Sequence, residues 1–189
     1  MSTQNQYAQL HSQAATVGST TQKAARFAVV TAITTLILIV ILHIIKSDMA
    51  PSWHMISEYA IGEHGWVMKL AFFAWSLSCI SLVASVRNQV ATVGGRVGLF
   101  LLFIVGISII MAGIFVMDSP QTPKDELTVH GNLHGLAATI GIPGQAIAAV
   151  LISLSLARNP SWKAAKRSII WAAHFTWVSL VIKIGRAHV

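Results

Sequence analysis

Four stretches of this chain, and the start of a fifth, run for about 20 residues almost without charge, and nothing else in the sequence constrains the fold as much. They are Phe27–Ile45, Trp66–Val86, Val97–Met117, Leu133–Ala157 and a run from Ser168 to Ile182. At 1.5 Å rise per residue, a helix of that length crosses the ~30 Å hydrocarbon core of a bilayer. Strands of a membrane barrel would alternate apolar and polar residues, and these runs do not. The expected fold is therefore all-α, a polytopic bundle of transmembrane helices with five spans visible. Composition agrees: 54% of residues are hydrophobic and 10% charged, against about 25% charged in a soluble domain. A cleaved signal peptide is the rival for the first run. Its apolar core would be only about 7–15 residues and would end at small residues, whereas His43-Ile44-Ile45-Lys46 follows here.

The charges sort by loop. Lys23, Arg26, Arg87, Arg96, Arg158, Lys163, Lys166 and Arg167 fall on one set of termini and loops. The alternate set holds Lys46 and Lys124 together with all 6 acidic residues, Asp48, Glu58, Glu63, Asp118, Asp125 and Glu126. The positive-inside rule places the basic set in the cytoplasm, N-terminus included, and the protein in the inner (plasma) membrane. The formal charge of +7 then reflects loops facing anionic headgroups. The basic residues flank apolar runs and form no stripe interleaved with aromatics, which argues against nucleic acid. Cys79 lies inside an apolar run, where a free cysteine is a packing residue.

Residues 1–22 carry no charged side chain and read as a flexible cytosolic tail. The bundle is expected over residues 23–182. Residues 183–189 resemble the in-frame translation of a sequencing adapter and put Lys183 and Arg186 where a helix should continue through lipid. The natural sequence is expected to depart near Ile182, and resequencing the locus tests this.

Potentially functional side chains gather on the acidic side. Pro51–Gly62 predicts a short interfacial helix with Ser52 as its N-cap and His54 and Glu58 on one face, four residues apart. Ser57 and Tyr59 belong to the same segment. Asp118 closes the third run, and an Asp at a helix C-terminus opposes the macrodipole, which favours a compensating partner, Lys69 among the candidates. His130 and His134 open the fourth run one turn apart, the spacing by which a helix offers two imidazoles to one metal ion. Two histidines need a third ligand, from Asp118, Glu58 or His54. Zinc is thus a possible cofactor, but a hydrogen-bonded polar cluster is the simpler expectation. His43, His134 and His174 show no pairing at matched depth that haem would require. Pro143 is expected to kink the fourth span.

Taken together, Ile56-Ser57-Glu58-Tyr59, Gly65-Trp66-Val67-Met68, Phe115 with Asp118, and His130-Gly131 with Leu133-His134 resemble the bacterial and archaeal membrane family known as domain of unknown function 998. The resemblance covers about Phe27–Ile182, with a departure at Val116. It implies a compact bundle, often of six helices, with no settled biochemical role. A sixth span would then be lost to C-terminal truncation. A more distant likeness, to membrane hydrolases of the alkaline ceramidase type, suggests zinc held by histidines and an Asp near one membrane face.

The function expected is a binding, sensing or structural role in the membrane, with an outward-facing cluster of Glu58, Asp118, His130 and His134, joined by His54, Ser57 and Tyr59. The alternative is a zinc-dependent hydrolase of a lipid or amide bond, with His130, His134 and Asp118 holding zinc and Glu58 as general base. A proton-coupled small-solute transporter using Glu58 and Asp118 comes third. The expected partners are the lipid bilayer and, beyond it, a second copy or another membrane protein.

Overall fold

The computed structural model describes the backbone over residues 3–186 and side chains over residues 18–181. Five α-helices follow one another: α1 (Thr3–Ile45), α2 (Gly65–Val86), α3 (Val93–Ile114), α4 (Val129–Leu156) and α5 (Lys166–Arg186). Short 3₁₀ helices occupy Ile56–Ala60, Lys124–Glu126 and Pro160–Trp162. No strand occurs among the described residues. Four helical segments are long and apolar enough to cross a membrane: Gly18–Ile45, Gly65–Val86, Val93–Ile114 and Val129–Leu156. The expected fifth span is not among them, since the described part of α5 is short and opens on Lys166 and Arg167. Helix α1 begins at Thr3, inside the segment expected to be a flexible tail. The side chains of the expected adapter-derived segment, 183–189, lie outside the described residues.

Helices α3 and α4 start earlier than their apolar runs. Thr92 and Thr128 are the reason: each hydroxyl accepts a hydrogen bond from a backbone N–H three residues on, Gly95 and Gly131 respectively, at 3.0 Å. These caps satisfy orphan donors of the first turn. Helix α4 continues through Pro143 to Leu156.

Each helix packs chiefly against its neighbours in sequence, α1 on α2, α2 on α3, α3 on α4 and α4 on α5. The buried seam includes Leu42, Met68, Ala71, Val105 and Ala148, all at 1% exposure or less. Phe27, Leu36, Ile44, Phe100, Trp171 and Phe175 point outward, as they should when lipid rather than water is the solvent. Lipid supplies no hydrophobic drive for helix association, so close approach and interhelical hydrogen bonds matter more. Ser76, fully buried, donates to the carbonyl of Gly106 at 2.8 Å, joining α2 to α3. Ser78 donates to the carbonyl of Ala28 at 2.9 Å, joining α2 to α1. Cys79 is buried and free, as its setting predicts.

At the basic end the α2–α3 and α4–α5 loops are tied together. Trp162 Nε1 donates to Gln89 Oε1 at 2.6 Å, and Asn159 Nδ2 donates to the Gln89 carbonyl at 3.1 Å. The Thr92 N–H donates to Ser155 Oγ at 3.3 Å.

Candidate functional site

The acidic-side residues resolve into two loops, each closed by its own hydrogen bonds. In the first, between α1 and α2, the chain forms a five-residue 3₁₀ helix, Ile56–Ala60, capped at Met55. Sequence reasoning placed a longer helix here with Ser52 as its cap. The actual start is fixed by Glu58, whose Oε1 accepts from the Met55 N–H at 2.6 Å. Its other oxygen, Oε2, lies 2.7 Å from His54 Nδ1. The expected His54–Glu58 pairing therefore exists, but it spans a turn rather than an α-helical face. Glu58 is buried, at 7% exposure, and both carboxylate oxygens are engaged.

Tyr59 is buried beside it, at 2% exposure. Its hydroxyl donates to the Met49 carbonyl at 2.8 Å, and its ring packs 5.1 Å from that of His43. Burial first, then the negative charges of Asp48 and Glu58, holds the phenol pKa above its ordinary value. Ser57 is half-buried in the same turn and takes no part in these bonds. Lys46, which the sequence did not single out, donates to the carbonyls of Tyr59 at 3.2 Å and Ile61 at 2.6 Å. It thus closes the C-terminal end of the 3₁₀ helix onto the end of α1. The turn into α2 is tight: Gly62 and His64 both have positive φ, at 71° and 60°. A Cβ at Gly65 would sit 2.1 Å from the Ala60 carbonyl oxygen, so only glycine lets this loop rest on α2.

The second loop joins α3 to α4. Asp118 is half-buried, and its two oxygens each accept one bond at 2.8 Å, Oδ2 from the Thr128 N–H and Oδ1 from the Thr128 hydroxyl. The compensating partner expected for Asp118 is therefore Thr128 and the N-terminus of α4, not Lys69. A carboxylate beside a helix N-terminus is favoured by the macrodipole, by roughly 0.3–1 kcal/mol. Gly131 makes room for it: a Cβ there would lie 1.9 Å from Asp118 Oδ2 and 2.5 Å from its Cγ.

His130 and His134 part company. His134 is buried, at 5% exposure, with Nδ1 2.8 Å from the Phe115 carbonyl oxygen and its ring edge-on to Phe72 at 6.1 Å. Phe115 follows the last residue of α3, so its carbonyl has no helical partner, and the Nδ1–H of His134 supplies one. His130 is exposed and meets the Phe115 ring edge-on at 5.3 Å. Among the described residues no group of three or more His, Cys, Asp or Glu side chains is placed to hold a metal ion. His130, His134 and Asp118 share one loop, with Asp118 bonded to Thr128 and His134 bonded through Nδ1 to Phe115. Nor does any hydrogen bond or ion pair among the described residues join Glu58 or His54 to that loop.

A family profile described as "Protein of unknown function (DUF998)" matches residues 29–185. No curated protein and no solved structure matches the chain.

Proposed function

We propose that this chain, which belongs to the DUF998 family, is a multi-pass inner-membrane protein whose acidic-side residues serve a structural role and present a rigid surface for binding. One observation carries this: Glu58, Tyr59, Asp118 and His134 are each hydrogen-bonded to the backbone or to side chains of the loops that hold them, and among the described residues no three His, Cys, Asp or Glu side chains are placed to hold a metal ion. The Nδ1–H bond of His134 leaves its Nε2 available, so it is the lack of a third ligand among the described residues that favours a structural role over a metal centre. Loops fastened this way keep a fixed outer surface above the bilayer, which is what a binding or assembly partner in the membrane requires. The orientation we assign puts the N-terminus in the cytoplasm, because the lysines and arginines outside the spans concentrate at that end. α5 completes a fifth crossing, its run from Ser168 to Ile182 continuing the apolar pattern.

Purified full-length protein tests the structural assignment. Glu58→Gln and Asp118→Asn should lower thermal stability, and added zinc should leave the wild-type melting temperature unchanged. Stoichiometric bound zinc that disappears in His134→Ala would overturn the structural role in favour of a metal centre. Orientation is tested separately: Ser119→Cys should react with a membrane-impermeant maleimide in intact cells and Asn88→Cys should not. The reverse pattern would invert the topology.

A further inference from the structure

One feature of the basic end is unrelated to the outer loops. A groove of about 600 Å³ runs between α1 and α2. Its walls are mostly apolar, with Ala25, Ala28, Val29 and Ala32 from α1 facing Leu82 and Val86 from α2, and Ser78 and Ser85 also line it. Gln22, Gln89 and Trp162, which carry polar groups, line it as well. An apolar trough with polar side chains among its lining suits a molecule with an apolar tail and a polar head.

Charge decides which lipid. Lys23, Arg26, Arg87, Arg96, Arg158, Lys163, Lys166 and Arg167 are all exposed. Among the described residues none of them forms an ion pair with an Asp or Glu, because every acidic side chain lies in the opposite loops. Two of these cations are next in sequence to residues that line the groove. Arg26 follows the lining residue Ala25 and comes one turn after Gln22, and Lys163 follows Trp162 directly. Trp162 is fixed there by its bond to Gln89. Basic pockets between helices at the cytoplasmic face suit anionic headgroups.

We propose that this groove is a binding site for one anionic phospholipid. An acyl chain lies along Ala25, Ala28, Ala32 and Leu82, and the phosphate sits at Gln22, Gln89 and the Trp162 indole edge between Arg26 and Lys163. The site is independent of the structural role of Glu58 and Asp118.

Native mass spectrometry of the full chain, released from micelles supplied with equal phosphatidylglycerol and phosphatidylcholine, tests it. One phosphatidylglycerol should stay bound per chain, in clear preference to phosphatidylcholine. Arg26→Gln with Lys163→Gln should weaken retention about 30-fold, at about fivefold for each cation near the headgroup. Arg96→Gln removes an exposed charge on α3, no residue of which lines the groove, and should change nothing. Ala25→Trp should block the apolar wall and lower retention with all charges intact. Excess glycerol phosphate should not displace the lipid; displacement would mean that the site takes a free phosphate and would overturn the proposal. Equal retention of both lipids would also overturn it, as would an Arg96→Gln loss equal to that of the double variant. If Ala25→Trp fails to fold, the charge variants, which are exposed, still decide.

Discussion

Gly131 and Gly135 are one helical turn apart near the start of α4, and replacing each with alanine should move stability in opposite directions. Alanine is preferred over glycine in a helix by up to about 1 kcal/mol. At Gly135 nothing lies within 4 Å of the new Cβ, so Gly135→Ala should gain most of that. At Gly131 the new Cβ would come 1.9 Å from Asp118 Oδ2, 2.5 Å from Cγ and 3.2 Å from Cβ. Contact that reaches back to the Cβ cannot be relieved by a small tilt, so the carboxylate must rotate away and give up both bonds to Thr128. Hydrogen bonds to a charged group contribute about 1.5–3 kcal/mol each when buried. Asp118 is half-exposed and water replaces part of that, so we assign about 2 kcal/mol to the pair, with the dipole term of roughly 0.3–1 kcal/mol added. After the helix-propensity gain, Gly131→Ala should destabilise by about 1–2 kcal/mol, and the two variants should differ by about 2–3 kcal/mol. Reversible unfolding with a denaturing detergent in mixed micelles measures this. The double variant Gly131→Ala with Asp118→Ala provides the control: once the carboxylate is gone, the Gly131→Ala change should recover its helix advantage. Equal stability of the two glycine variants would refute the Asp118–α4 contact.

Three further outcomes are expected. Tyr59 has a raised pKa in the folded protein, so its contribution is intact below the unfolded value near 10 and falls as pH rises above it. Tyr59→Phe should flatten that alkaline loss while costing about 1 kcal/mol at neutral pH for the bond to Met49; an unchanged pH–stability curve would contradict it. Ser76→Ala should destabilise by about 0.6 kcal/mol, the usual size of an interhelical bond in a membrane, read by the same detergent titration. Glu58→Gln should cost roughly 1 kcal/mol, reduced from a buried pair because His54 is partly exposed, and should raise hydrogen exchange at the Met55 amide without affecting that of Thr128.

Four of the expected spans were legible because hydropathy reports on what suits lipid. Trp66–Val86 differs from α2 by a single residue, since α2 starts at Gly65. The early starts of α3 and α4 were also written in the chain, in Thr92 and Thr128, but a capping hydroxyl sits in polar sequence that an apolar-run reading passes over. The His54–Glu58 pair was legible because i, i+4 partners meet in more than one kind of turn. What could not be read were the destinations of Asp118 and His134. Both bind across a loop, Asp118 to a residue ten positions on and His134 to a backbone carbonyl nineteen positions back. Two histidines at metal spacing look identical in sequence whatever each ring nitrogen bonds to. The carbonyl that His134 meets is that of Phe115, the residue after the end of α3.

The stacking of each helix on the one before it has a consequence for biosynthesis. A helix leaving the ribosome finds its principal partner already in the membrane, so no span has to wait for a distant segment to be made. Loop-closure costs stay small when contacts are local in sequence. The Ser78–Ala28 and Ser76–Gly106 bonds then act as successive latches, the first available once α2 is inserted and the second only after α3 arrives.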